Sequence, residues 1–289
     1  MATRGRAFLL LVVSALSFGA MAFAAKLATR DLPAGEVAFV RFLLMLTPFV
    51  VVPRLARRAL VWQRVDLLVY RGVFGGVAVL LYFLAIAHIP VGTATLLNYS
   101  SPLWSVLFAA LFLGERARPA LLLPFGVAIL GMLLVTGALS GQALAGFGVW
   151  ELTGFVSSVL SGAAVAAIRA ARRTEGSWAI YGSFTLFGLL VTAPFALVGF
   201  RLPTPAEWLL LLVVGGSSVA AQLTMTYAYR WATNLQAGVI LQLTVVISMA
   251  LGAIFLGETL GPAKLCGAAL TLAWIVGVIA IQSTPRAVE

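Results

Sequence analysis

Thr95, Asn98, Tyr99, Ser100, Ser101 and Ser105 place six polar side chains, with Pro102 among them, inside eleven residues of a mostly apolar stretch. Hydroxyls, amides and phenols at this density recognise small polar molecules by hydrogen bonding; they do not make or break bonds by themselves. Bond-making chemistry would need a nucleophile–base pair or a metal site. The chain offers one histidine, His88, and one cysteine, Cys266. A Cys/His zinc cluster and an intramolecular disulfide are therefore excluded, and no catalytic constellation is legible. The expectation is a binding protein without cofactor or metal, not an enzyme.

On a helix, Thr95, Asn98, Tyr99, Pro102 and Ser105 recur every three or four residues and share one face. Further candidate lining residues fall within apolar runs: Tyr82 upstream, then Gln222 and Tyr229 with the apolar Met225 between them, then Gln242 and Ser248. Polar side chains inside a membrane are costly and usually face the bundle interior or a watery path. The expected substrate-binding set is Tyr82, Asn98, Tyr99, Ser105, Gln222, Gln242 and Ser248. Amides and hydroxyls can hold the charged ends of a zwitterion, and aromatic rings can stack on its side chain or ammonium group. The competing reading is structural, since serine and threonine in membrane helices often bond only to backbone or to a neighbouring helix. Arg41 also has two readings: a structural cation inside the bundle, or a partner for a substrate carboxylate. Arg71 stands near a helix end, from which it can snorkel.

These residues lie in a chain of 289 residues that is 62% hydrophobic and 10% charged, with mean hydropathy +1.07. A soluble domain carries about 25% charged residues, and charge this sparse cannot cover a soluble surface of this size. Apolar runs between polar or turn clusters give ten membrane helices, at roughly 7–27, 34–53, 66–87, 91–113, 120–138, 147–168, 178–199, 206–229, 234–256 and 262–281. Each is near the roughly 20 residues needed to cross a bilayer. Ala22-Phe23-Ala24 imitates a signal-peptide cleavage site, but the first segment is expected to be retained. With both termini cytoplasmic, thirteen basic residues fall inside and four outside, Arg41 and Arg71 lying within spans. That bias accounts for the net charge of +10 by topology rather than by a nucleic-acid partner.

A shift of 143 positions aligns residues 85–135 with 228–278 without a gap, and twelve of these 51 positions are identical. Most are inexpensive matches of alanine or leucine. The run Phe-Leu-Gly-Glu followed four residues later by proline is different, because it uses two of only nine acidic residues. Gly114, Glu115 and Pro119 in the first copy answer to Gly257, Glu258 and Pro262 in the second. Glycine suits the left-handed position that ends a helix, and proline the first turn of the next. The glutamates serve either the turn itself or a coupling role. Residues 1–139 and 140–289 then form two repeats of five helices. Five being odd, equivalent helices cross in opposite directions, an arrangement that builds carriers with alternating access.

Ten spans, two five-helix halves, Arg41-Phe42 in the second helix and Phe-Leu-Gly-Glu-x3-Pro closing the fourth and ninth resemble the drug/metabolite transporter superfamily, in its EamA-type ten-helix branch. The seventh helix has no Arg-Phe counterpart. Within that superfamily the general look is similar to bacterial exporters of aromatic and neutral amino acids, the YddG type. The resemblance implies a basket-shaped bundle around a central cavity in a bacterial inner membrane, exporting a small neutral metabolite. Carriage of another cargo (a drug, sugar or nucleotide-sugar) is the alternative. The midplane lacks a carboxylate, so facilitated diffusion is expected rather than obligatory proton exchange.

Overall fold

A computed structural model describes residues 2–113, 122–136, 148–228, 231 and 234–283; these are helices and short links, with no strand among them. Helix covers most of the described parts of the ten apolar segments, in thirteen pieces, and a fourteenth, Pro53–Ala59, lies in the link between the second and third. They are α1 (Ala2–Ala28), α2 (Ala34–Leu44), α3 (Thr47–Val51), α4 (Pro53–Ala59), α5 (Val65–His88), α6 (Val91–Tyr99), α7 (Ser101–Leu113), α8 (Leu122–Thr136), α9 (Val149–Ala171), α10 (Ser177–Leu197), α11 (Pro205–Ala228), α12 (Asn234–Leu241), α13 (Leu243–Leu256) and α14 (Pro262–Ser283). Seven helical stretches are long and apolar enough to cross a membrane: 5–28, 34–51, 65–88, 149–168, 177–197, 205–228 and 239–256. Prolines mark several starts. Pro33 and Pro90 directly precede α2 and α6, while Pro205 and Pro262 open α11 and α14, where a missing N–H costs nothing.

The fourth and ninth segments are each broken in the middle. α6 ends at Tyr99 and α7 begins at Ser101, so the face drawn from Thr95 to Ser105 is not continuous, and Ser105 belongs to a second helix. Pro102 supplies the reason: it has no amide hydrogen to bond back across the break. α12 gives way to α13 at Gln242, where the aligned position of Pro102 is Val245. The two breaks thus fall on Tyr99–Ser100 and Gln242, which the 143-residue shift superimposes.

The larger interfaces join the first half of the chain to the second. α1 packs on α11 and α13, while α9 packs on α5 and α7; α10 packs on α5, while α2 packs on α11. Each of these pairs is the shifted image of its partner. The core they enclose includes Phe18, Met21, Tyr82, Phe83, Leu103 and Ile275.

α8 and α14, aligned by the same shift, lie directly against each other. The Thr271 hydroxyl is 3.4 Å from the Ala128 carbonyl oxygen, again a pair 143 residues apart. A Cβ at Gly267 would stand 2.6 Å from the Gly131 carbonyl oxygen, and one at Gly131 would stand 2.7 Å from the Gly267 carbonyl oxygen. Backbones this close require the missing side chain, as at small-residue helix crossings in membranes. Gly267→Leu is expected to force α8 and α14 apart and to cost about 1–3 kcal/mol or more, the usual range for overpacking. Gly126→Ala, on α8 with nothing within 4 Å of the new methyl group, should leave stability unchanged or slightly raised. Thermal unfolding of both purified variants checks this.

Candidate substrate site

Three of the seven polar residues expected to bind substrate, Asn98, Tyr99 and Gln242, meet at the first helix break. Gln242 Nε2 donates to the Tyr99 carbonyl oxygen at 3.3 Å, joining the two breaks directly. Asn98 Nδ2 donates to Ser157 Oγ at 2.9 Å and Ser161 Oγ at 3.3 Å, tying α6 to α9. The Tyr99 ring meets Phe18 of α1 edge-on, centroids 6.3 Å apart. Tyr82 stands one helix away, its hydroxyl 2.8 Å from Thr95 Oγ1. Thr95 Oγ1 also pairs with the Val91 carbonyl at 2.7 Å.

Two groups in this region are left without partners. Gln242 Oε1 and Ser248 Oγ are buried and make no hydrogen bond. A buried polar atom in that state carries its full desolvation cost, so both can still accept or donate to a small molecule. Ser105 behaves differently, because its hydroxyl closes a local bond to the Pro102 carbonyl at 2.9 Å. Gln222 is half-buried on α11, and its backbone carbonyl accepts from the Thr226 hydroxyl. Tyr229 lies outside the described residues, as do Gly114, Glu115 and Pro119.

The second copy of the repeat motif reaches well beyond its own turn. Gly257 has φ +66°, the left-handed conformation that glycine tolerates, and the Glu258 amide returns to the Gly252 carbonyl at 3.1 Å. Glu258 Oε1 then accepts from the Val91 amide at 2.8 Å, at the start of α6. Across the same link, Lys26 Nζ of α1 donates to the carbonyls of Ile86 at 2.7 Å and Ile89 at 2.9 Å, at the end of α5. An anion therefore caps the N-terminus of one helix and a cation the C-terminus of the preceding one, each opposite the matching end of a helix dipole. Sequence reading found the turn but not this clamp, because neither Lys26 nor Val91 is near Glu258 in the chain.

Arg41 lies within electrostatic range of Tyr82 and Tyr99 and is buried. Arg71 is half-buried. Its guanidinium carbon sits 4.1 Å from the centre of the Phe184 ring, on α10. The ring face draws the cation inward.

Helices that pack across two halves, with polar atoms left open near paired helix breaks, define the class of helical membrane carriers. The chain belongs to the EamA-like transporter family, which matches it twice, over residues 5–137 and 148–280. It is 32% identical over 279 residues to the pseudopaline exporter CntI of Pseudomonas aeruginosa, covering 96% of both chains. It is 25% identical over 214 residues to a riboflavin transporter of Brucella anthropi, covering 68% of this chain and 71% of the other. A solved crystal structure shares the fold with TM-score 0.63 at 22% identity, over 96% of each chain.

The clamp at the α5–α6 link gives a direct expectation. Glu258→Ala removes a charged hydrogen bond and should destabilise the protein by about 1–2 kcal/mol. Glu258→Gln keeps the acceptor and should lose less. Thermal unfolding of the two variants in one detergent checks the order.

Proposed function

We propose that this protein is a secondary transporter that exports small metabolites, amino acids including aromatic ones, across a bacterial cytoplasmic membrane. In this reading all ten segments span the bilayer, both termini are cytoplasmic, and residues 1–139 and 140–289 are inverted halves that rock about a central site. Tyr82, Asn98, Tyr99, Ser105, Gln222, Gln242 and Ser248 line that site. Transport is facilitated diffusion.

The observation that carries the reading is the Gln242–Tyr99 bond beside two buried polar atoms with no partner. A polar crossing of two interrupted helices is where carriers of this architecture hold substrate. The family membership and the exporter and transporter names of its relatives support the carrier class. The thirteen-to-four bias of basic residues supports the orientation.

A second reading, a carrier of the same fold for a different metabolite, is favoured by those same names, since pseudopaline and riboflavin are the cargoes they give. Uptake of radiolabelled phenylalanine, threonine, riboflavin and a sugar into proteoliposomes separates the two. Saturable phenylalanine uptake above empty liposomes, with counterflow in the absence of any ion gradient, is the expected result. Riboflavin or sugar uptake without amino-acid uptake would transfer the assignment to the second reading. Tyr99→Ala should lower uptake at least tenfold while eluting as a folded, monodisperse protein. Normal uptake by that variant would remove Tyr99 from the site.

A further inference from the structure

Arg41 and Arg71 come from different helices, α2 and α5, and both guanidinium groups stand at one aromatic ring. Their Cζ atoms lie 5.8 Å and 4.1 Å from the centroid of Phe184. Arg41 also faces Phe42 at 4.9 Å and Phe83 at 5.9 Å. It is 3% exposed and its Nε donates to Ser218 Oγ at 2.9 Å. Nη1 of Arg41 and Nε of Arg71 are buried with no hydrogen-bond partner.

Two like charges at one ring, inside a bundle of apolar helices, are an unbalanced arrangement. Charged groups within membrane segments almost always pair, and a buried charge without a partner is strongly unfavourable. The ion pairs Arg64–Asp66 and Arg201–Glu207 include neither Arg41, which is buried, nor Arg71, which is half-buried. Glu36 shares α2 with Arg41, but five residues place it about 140° around the helix. Both oxygens of Glu36 are buried, on the side of α2 that faces Arg201 rather than Arg41. Ring faces attract a guanidinium weakly compared with its lost hydration. Ser218 supplies one neutral acceptor. The group that complements two such guanidinium ions is an anion.

We propose that Arg41 and Arg71 form an anion subsite of the carrier, and that its preferred substrates bear more carboxylate than ammonium charge. The planar guanidinium fork matches a carboxylate edge to edge. Two such forks beside Phe42, Phe83 and Phe184 suit an amino-acid derivative with a second carboxylate and an apolar or aromatic portion. The proposal rests on the transporter reading and replaces the neutral cargo expected from the sequence with an acidic one.

The test measures binding separately from transport. Quenching of tryptophan fluorescence in the purified protein is titrated with N-succinyl-phenylalanine (a dicarboxylate), phenylalanine, phenylalaninamide and phenyl phosphate. The expected order is dicarboxylate tightest, phenylalanine next and the amide weakest, with at least tenfold between the first and last. Arg41→Gln and Arg71→Gln should each weaken the dicarboxylate at least tenfold and leave the amide unchanged. Arg41→Lys, which keeps the charge and guards against a misfolded glutamine variant, should retain part of the affinity. A wild-type protein that binds the amide as tightly as the dicarboxylate overturns the proposal, as does a folded Arg41→Gln variant with undiminished dicarboxylate affinity. Tight binding of phenyl phosphate alone overturns the carboxylate assignment in favour of phosphate esters. Dicarboxylate binding without proteoliposome uptake of any compound would instead count against the transporter reading and leave the subsite standing.

Discussion

The hydrogen bond from Gln242 to Tyr99 joins two residues that the internal repeat makes equivalent. Two positions exchanged by a rotation can touch only where they lie beside its axis, as at the centre of any two-fold interface. Thr271 and Ala128 meet in the same way, so two self-pairs mark one line through the molecule. With the two halves proposed above, the remaining packing follows from that line. α1 and α9 each leave their own half to lie on the other, and the α2–α11 and α5–α10 contacts repeat the exchange. Neither half holds together chiefly by itself.

That interleaving bears on mechanism. A carrier must expose one site alternately to two sides, and near-equal packing of two related halves makes the two states similar in energy. The breaks at Tyr99–Ser100 and Gln242 interrupt backbone hydrogen bonding beside the axis, where a rotation moves atoms least. Polar groups freed there serve substrate at little structural cost. The clamp formed by Lys26 and Glu258 on the α5–α6 link lies at one end of the bundle, away from the breaks. It ties α1 and the turn after α13 to that link by matching charge to helix dipoles.

Local sequence carried the elements well. Apolar runs and prolines located α1, α5, α9, α10, α11 and α14 to within a few residues, because a membrane forces each helix to satisfy its own backbone. Pro102 gives the first break its physical reason, although the face read from Thr95 to Ser105 ran through it. Nothing at Leu241-Gln242-Leu243 announced the second, which follows from the partner it meets rather than from a helix-breaking residue. The site was partly legible. Tyr82, Asn98, Tyr99 and Gln242 stood out as polar groups in apolar surroundings. The inward turn of Arg71 did not, since Phe184 lies far along the chain and only packing brings it near. The reach of Glu258 to Val91 was hidden for the same reason.

The account turns on the clamped end opening during transport. Cysteines placed at Pro90 and Thr259, which adjoin Val91 and Glu258, in a Cys266→Ser background allow that end to be tied with a short, cleavable thiol reagent. Proteoliposome uptake is then compared before linking, after linking and after cleavage. The account predicts that uptake falls to the level of empty liposomes when the link is made and returns when it is cut. Undiminished uptake by the fully linked protein would contradict alternating access through this end of the bundle.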